Sequence, residues 1–209
     1  MATEPLDKKH LRTQLKAVRR GLGPSVRAEA DAAVAARVRA LSEWDAAPVV
    51  LAYLSVRDEV DTRSLVRAAW EAGKLVAAPR VTGPRALAWY RVEPGETLET
   101  SRMGIEEPPA DATRLVDVAR LRGDALALVP ALALDERGYR LGYGGGFYDA
   151  LLASFPGVSV GLAREASLVP SLGALGVLEP HDRAVDLVVS DARVIRGRSL
   201  RNRIRGERR

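Results

Sequence analysis

Apolar residues in this chain occur either as spaced stripes or as short unbroken runs, and the alternation of the two predicts its elements. Over residues 6–22, Leu11, Leu15, Val18 and Leu22 recur at spacings of four, three and four, one face of an amphipathic helix. Lys8, Arg12, Lys16 and Arg19 form a basic stripe beside it, which by itself reads as a solvated face. Gly21-Leu22-Gly23-Pro24-Ser25 ends the helix, and Ser25 is placed to cap an alanine-rich helix running to about Leu41. Residues 48–54 are a near-continuous apolar run, as expected of a strand covered on both faces. An acidic loop at 56–62 leads into a helix over 63–72, where Asp61 or Thr62 would serve as cap. Residues 75–79 and 87–92 are further strands, and Trp89 and Tyr90 in the second read as core aromatics rather than as a platform for a flat ligand. After a polar, irregular connection at 109–123 come a strand at 125–130, a helix opening at Phe147, and strands at 158–163 and 187–189. Strands alternating with helices, without internal repeats, predict an α/β fold with a mostly parallel sheet.

One stretch breaks the pattern. Arg140-Leu141-Gly142-Tyr143-Gly144-Gly145-Gly146-Phe147-Tyr148-Asp149 holds four of the 18 glycines within five residues, after the apolar run at 125–130 and directly before a helical one. A glycine-rich turn opening a helix leaves backbone N–H groups pointing outward. The helix dipole adds positive charge there, so an anion such as a phosphate is the ligand this arrangement suits. The pattern is not a Walker A loop, since no Lys-Ser or Lys-Thr follows the last glycine, and Phe147 stands where GxGxxG needs its third glycine. A bare glycine cluster also serves as a plain turn. Arg140 in front supplies a guanidinium fork, however, and Asp149 behind supplies a hard oxygen ligand suited to magnesium.

Composition narrows the class. A chain of 209 residues with 47% hydrophobic and 28% charged residues fits one soluble domain, and it has no apolar run long enough to span a membrane. The polar N-terminus reads as no signal segment, and the absence of cysteine excludes disulfides and thiolate chemistry; a cytoplasmic setting is the expectation. The net charge of +5 suggests nucleic acid until it is mapped. Residues 196–209 carry +6 and residues 1–20 carry +4, which leaves −5 on the 175 residues between them. The basic character belongs to the ends.

Asp135-x-x-Gly138-x-Arg140 and the residues through Asp149 closely resemble the signature of the 5-formyltetrahydrofolate cyclo-ligases, also called methenyltetrahydrofolate synthetases. Lys8-x-x-Leu11-Arg12 is similar to that family's short N-terminal basic motif. Met103-Gly104-Ile105-Glu106-Glu107-Pro108 resembles its Gly-Ile-x-Glu-Pro segment, and Glu179-Pro180-His181-Asp182-Arg183-Ala184-Val185-Asp186 rejoins its pattern. The resemblance implies a single three-layer α/β/α domain over residues 1–195, with 196–209 as a basic, disordered tail.

The activity it implies is ATP- and magnesium-dependent closure of 5-formyltetrahydrofolate to 5,10-methenyltetrahydrofolate. Carried over by position, Lys8, Arg12, Arg140 and the backbone of Gly142, Gly144, Gly145 and Gly146 would hold the ATP phosphates, with Leu141, Tyr143, Phe147 and Tyr148 alongside. Arg140, Tyr143 and Asp149 would be catalytic, and Asp149 and Asp182 would hold Mg2+. Val56, Glu59 and Asp61 would meet the pterin, with Tyr143, the glycines 144–146 and Phe147 where loop and folate meet. The expected substrate is 5-formyltetrahydrofolate, polyglutamylated or not, bound by a monomer. The chain departs from the family pattern after the strand at 158–163: a usual glutamine is missing and 164–177 reads as a lengthened, proline-containing loop. No substrate contact is carried over there. Two other readings stay open, a non-catalytic phospho-ligand sensor on the same fold and weak nucleic-acid binding through the tail alone.

Overall fold

The computed structural model describes residues 7–101 and 104–197. Helix α1 (Lys8–Gly21) is capped by Asp7, whose carboxylate accepts from the Lys9 N–H. Its inward row is Leu11, Leu15 and Arg19, whereas Val18 is 44% exposed. The expected apolar stripe therefore gives way to an arginine at the helix end. The inward surface there meets backbone carbonyls, which a guanidinium satisfies and a valine would leave unpaired. Helix α2 (Pro24–Arg39) begins with Pro24 at its first position after Gly23, so Ser25 lies inside the first turn and does not cap it. A proline there forfeits only an N–H that has no helical partner.

The chain continues through α3 (Ser42–Ala46), β1 (Val49–Leu51), α4 (Arg63–Glu71), β2 (Leu75–Gly83) and β3 (Ala86–Arg91). Short strands follow: β4 (Glu99–Thr100), β5 (Glu106–Glu107) and β6 (Leu115–Val116). Then come β7 (Leu126–Pro130), β8 (Ala133–Asp135), β9 (Arg140–Leu141), α5 (Phe147–Ser154), β10 (Val158–Leu162), β11 (Leu168–Val169), β12 (Leu187–Val189) and β13 (Val194–Arg196). The main sheet has the order β13-β12-β10-β7-β1-β2-β3-β6. Its five central strands run parallel, and β13, β3 and β6 join antiparallel at the edges.

β7 shows why its sequence is an unbroken apolar run. Leu126 and Leu128 point into a core with Val34 and Val38 of α2, Trp44 of α3 and Leu65 of α4. Ala127 and Val129 point the other way, toward Leu151 and Phe155 of α5. Period-two alternation with both faces covered makes three layers, α/β/α, as expected. Trp89 and Tyr90 are buried, and the Trp89 ring meets Tyr148 edge-on at 6.5 Å.

Two expectations change. The glycine loop does not follow β7 directly: the hairpin β8–β9 intervenes, with β11 added in parallel on β8. The segment 164–177 is likewise no open loop. It holds a 3-10 turn (Glu165–Ser167) and β11, and it buries Leu172 and Val177 against Leu11 and Leu15 of α1. Asp135, fully buried, ties these pieces together: its carboxylate accepts from the N–H groups of Arg137 and Tyr139 and from that of Leu172 at 2.9 Å. The ordered sheet also runs past residue 195. Arg196 belongs to β13 and pairs with Glu43, and the Gly197 N–H donates to the Asp186 carbonyl. The remainder of the expected tail, 198–209, lies outside the described residues, as does Met103 of the Gly-Ile segment. Among the described residues no helix is long and apolar enough to cross a membrane.

Candidate active site

A cleft of about 920 Å³ opens where β1 and β7 end, the side of a parallel sheet on which ligands bind. Every site residue expected from the sequence lines it except Asp61. Residues separated by more than 100 positions meet there because α1 is pinned across the glycine loop. Arg12 Nε donates to the Gly142 carbonyl at 2.9 Å. Gly144, which lies against the Arg12 guanidinium, has φ +104, a backbone conformation that side chains rarely adopt.

At the base of the loop Arg140 and Asp149 form an ion pair at 2.7 Å. Burial lowers the Arg140 pKa while Asp149 pulls it back up. Arg140 also donates to the Arg183 carbonyl at 2.8 Å, and Asp149 accepts from the Arg183 N–H at 3.1 Å. Lys8 reaches the same turn, 3.0 Å from Glu179 and 3.6 Å from Asp182. Tyr143 stands half exposed at the loop tip. Lys16 lies over its ring at 5.4 Å, and its hydroxyl accepts from Arg19 at 3.4 Å. Burial raises the phenol's pKa above its ordinary value.

Asp149 and Asp182, the two expected metal ligands, stand in different surroundings. Glu179, His181 and Asp182 bring one ligand atom each within 4.8 Å of one another, while Asp149 spends its carboxylate on Arg140 and the Arg183 N–H. Lys8 already sets an ammonium against the Glu179 and Asp182 oxygens, which shows that the spot accepts positive charge. Glu179 and Asp182 would hold a magnesium ion there, and its charge would neutralise phosphate oxygens.

The opposite wall is built from the loop after β1. Tyr53, Leu54 and Val56 give it an apolar surface, and Glu59 places a carboxylate beside them. Glu59 accepts from the Val56 N–H at 3.1 Å, and burial raises its pKa above the ordinary carboxylate value. Asp61 points elsewhere. It accepts from the Ser55 hydroxyl at 2.7 Å and from the N–H of Arg63, the first residue of α4, at 3.2 Å, while Thr62 is the N-cap. Asp61, expected to meet the pterin, therefore does not line the cleft, whereas Val56 and Glu59 do.

Two buried arginines hold this wall, and sequence reading missed the role of both. Arg19 donates to the Asp58 carbonyl and to that of Ala131. Arg164, at the head of the lengthened segment, donates to the Asp58 and Glu59 carbonyls and pairs with Asp31 of α2 at 2.8 Å. Arg19 stood in the basic stripe of α1. Arg164 carried no signal beyond the departure from the family pattern.

One chamber therefore offers charge suited to a polyphosphate and, facing it, an apolar wall suited to a flat organic ligand. That combination defines an α/β protein of the class that brings the phosphates of a nucleotide to a second substrate. The comparisons give the particular family. The chain belongs to the 5-formyltetrahydrofolate cyclo-ligase family, whose sequence model matches residues 5–191. It is 33% identical over 181 residues to the 5-formyltetrahydrofolate cyclo-ligase of Escherichia coli K12, covering 84% of this chain and 96% of that protein. It is 33% identical over 204 residues to that of Mycolicibacterium smegmatis, covering 91% and 97%. Among solved structures, Aquifex aeolicus 5,10-methenyltetrahydrofolate synthetase superposes with a TM-score of 0.77 at 29% identity, covering 91% of this chain and 93% of that one.

Proposed function

We propose that this protein closes 5-formyltetrahydrofolate to 5,10-methenyltetrahydrofolate, consuming ATP and releasing ADP and phosphate. The observation that carries the reading is the meeting of Lys8 and Arg12 with the glycine loop in one cleft with Val56 and Glu59. A formamide oxygen is a poor leaving group, and its carbon is a poor electrophile. Transfer of the γ-phosphoryl group to that oxygen breaks the bond to ADP and makes an imine-like phosphate. N10 then attacks the carbon, phosphate departs with its oxygen, and N10 loses its proton. Such transfer needs positioning and charge neutralisation rather than a protein nucleophile, consistent with a chain lacking cysteine.

In this reading Arg12, Lys16 and the loop N–H groups hold the phosphates; Glu179 and Asp182 would hold a magnesium ion, which would leave Lys8 free to reach the phosphates as well. Arg140 fixes the loop and adds its charge from below. Glu59 and the wall after β1 hold the pterin. Arg20, Arg27 and Arg57 line the cleft without an acid partner among the described residues and suit the extra carboxylates of a polyglutamylated substrate. Purified full-length protein mixed with 5-formyltetrahydrofolate, ATP and magnesium should build up methenyl absorbance together with ADP. EDTA should abolish it. Absence of product under these conditions would overturn the reading, and full activity in metal-free buffer would overturn the metal role.

A further inference from the structure

Among the described residues two non-glycine positions have φ in the left-handed region, Arg57 at +54 and Arg85 at +55, and both line the cleft. A bulky side chain is disfavoured there, and such positions persist where a function requires them. Arg85 sits in the two-residue turn between β2 and β3, directly after Pro84. In a proline-led turn with positive φ the ordinary occupant is glycine or asparagine. An arginine at this place suggests that the side chain, not the turn, is what matters.

Its surroundings say where that side chain goes. Gly146, the left-handed N-cap of α5, lies under it: a Cβ on Gly146 would sit 2.9 Å from Arg85 Nε. The bare glycine makes room for the arginine to lie across the helix N-terminus. No acid among the described residues pairs with Arg85, and the acid in the first turn of α5, Asp149, is already bound to Arg140. A guanidinium is therefore parked at the positive end of a helix dipole, in a cleft that also carries Lys8, Arg12 and Lys16. Lys8 is answered by Glu179 and Asp182, whereas Arg85, exposed at the cleft, has no acid partner among the described residues, and an anion lying between the glycine loop and the hairpin would supply one.

We propose that Arg85 is a phosphate-contacting residue of the reaction, reaching from the β2–β3 hairpin across Gly146 to the polyphosphate held by the glycine loop. Its fork binds oxygens of the transferring group while the bond to ADP breaks and the bond to the formyl oxygen forms, and the released negative charge ends on ADP. The two sides of the phosphate site then come from different elements, α1 through Arg12 and the hairpin through Arg85. The inference rests on the function proposed above, and its test separates the two.

The decisive variant is Arg85→Gly. Glycine relieves the left-handed backbone, so the melting temperature should hold or rise, while kcat/KM for ATP falls on the order of 10- to 100-fold. KM for the folate should stay within about twofold, since Arg85 stands over the phosphate loop. Arg85→Asn, which also accepts the turn conformation, should behave like glycine, and Arg85→Lys should recover part of the loss because it keeps the charge without the fork. The dissociation constant of ATP with magnesium, measured by titration without folate, should weaken in the glycine and asparagine variants. Wild-type kinetics and nucleotide affinity in both would reduce Arg85 to a turn residue. If the unaltered protein binds ATP but makes no methenyl product, the proposed function fails while the affinity comparison still decides Arg85.

Discussion

Arg140 and Asp149 close the glycine loop at its base, their 2.7 Å ion pair joining β9 to the first turn of α5 while both reach Arg183. The charge that sequence reading gave to phosphate and the carboxylate it gave to metal are first of all partners of each other. Arg140→Ala should therefore do two things. It should destabilise the fold by about 3 kcal/mol, because Asp149 is left without its cation in a largely buried place. It should also lower kcat/KM for ATP by an amount equivalent to about 2–4 kcal/mol through lost charge under the phosphates. Urea denaturation and ATP kinetics on the same preparation test both, and an unchanged unfolding midpoint would show that the clasp contributes nothing.

On the opposite wall, Asp61 is bound to Ser55 and the Arg63 N–H whereas Glu59 faces the cleft. Asp61→Asn should retain the wild-type KM for the folate, and Asp61→Ala should lose about 1 kcal/mol of stability with its bonds to Ser55 and the Arg63 N–H. Glu59→Gln should raise the folate KM and leave that for ATP close to unchanged. A folate KM that rises for Asp61→Asn and not for Glu59→Gln would reverse the assignment.

Glu59 also sets a pH dependence. Burial holds its carboxyl above the ordinary value in the folded state, so between the ordinary and the raised value the unfolded chain binds fewer protons than the folded one. The contribution to stability therefore falls as pH rises through that window. Folate binding runs the other way: lowering pH through the raised value protonates the acceptor and increases KM. Both slopes should flatten in Glu59→Gln, measured as melting temperature and folate KM against pH. Slopes that persist in that variant belong to another group.

The layered fold was legible because its signals are local. The run at β7 alternates sides as strand geometry demands, and the stripe of α1 repeats at helical spacing. The glycine loop was legible as part of the candidate site because its residues are contiguous, and it lines the cleft. What escaped depends on contacts across the chain. Val18 and Arg19 are neighbours on α1, and which of them turns inward is decided by carbonyls of Asp58 and Ala131. Asp61 and Glu59 are equally acidic in a short loop, and only the entry into α4 separates the carboxylate bound beside the helix from the one that lines the cleft. Arg85 gave no periodicity at all, since its place is defined by a turn conformation and by a glycine 61 positions away.

Arg164 offers a further test, because its head group is spent on the chain. It holds the carbonyls of Asp58 and Glu59 while pairing with Asp31, its own guanidinium buried. Arg164→Ala should cost about 3–5 kcal/mol by leaving Asp31 uncompensated. The paired change Asp31→Asn with Arg164→Gln should restore part of the stability without restoring the grip on the carbonyls. Folate KM should then remain raised in the double variant, with ATP parameters near wild type. If folate KM recovers along with stability, Arg164 supports the fold and does not position the wall.

The C-terminal boundary gives the last prediction. Sequence reading drew it before Arg196, yet Arg196 pairs with Leu187 across β13–β12 and its guanidinium meets Glu43, and the Gly197 N–H donates to the Asp186 carbonyl at 2.7 Å. A chain ending at Gly197 keeps all three contacts; one ending at Ile195 loses them. The Glu43 pair is partly exposed, so most of the difference comes from the ladder and the Asp186 bond, about 1–3 kcal/mol together. The first truncation should melt like the full chain and turn over at the full rate, since every cleft residue among the described ones lies before it. It should also bind polyanions more weakly and with a shallower salt dependence, because residues 198–209 carry six arginines and one glutamate. The second truncation should melt lower while its folded fraction keeps the same Michaelis constants. A rate lost in the Gly197 truncation at unchanged melting temperature would place the basic segment in the reaction, against the position of every residue assigned to it.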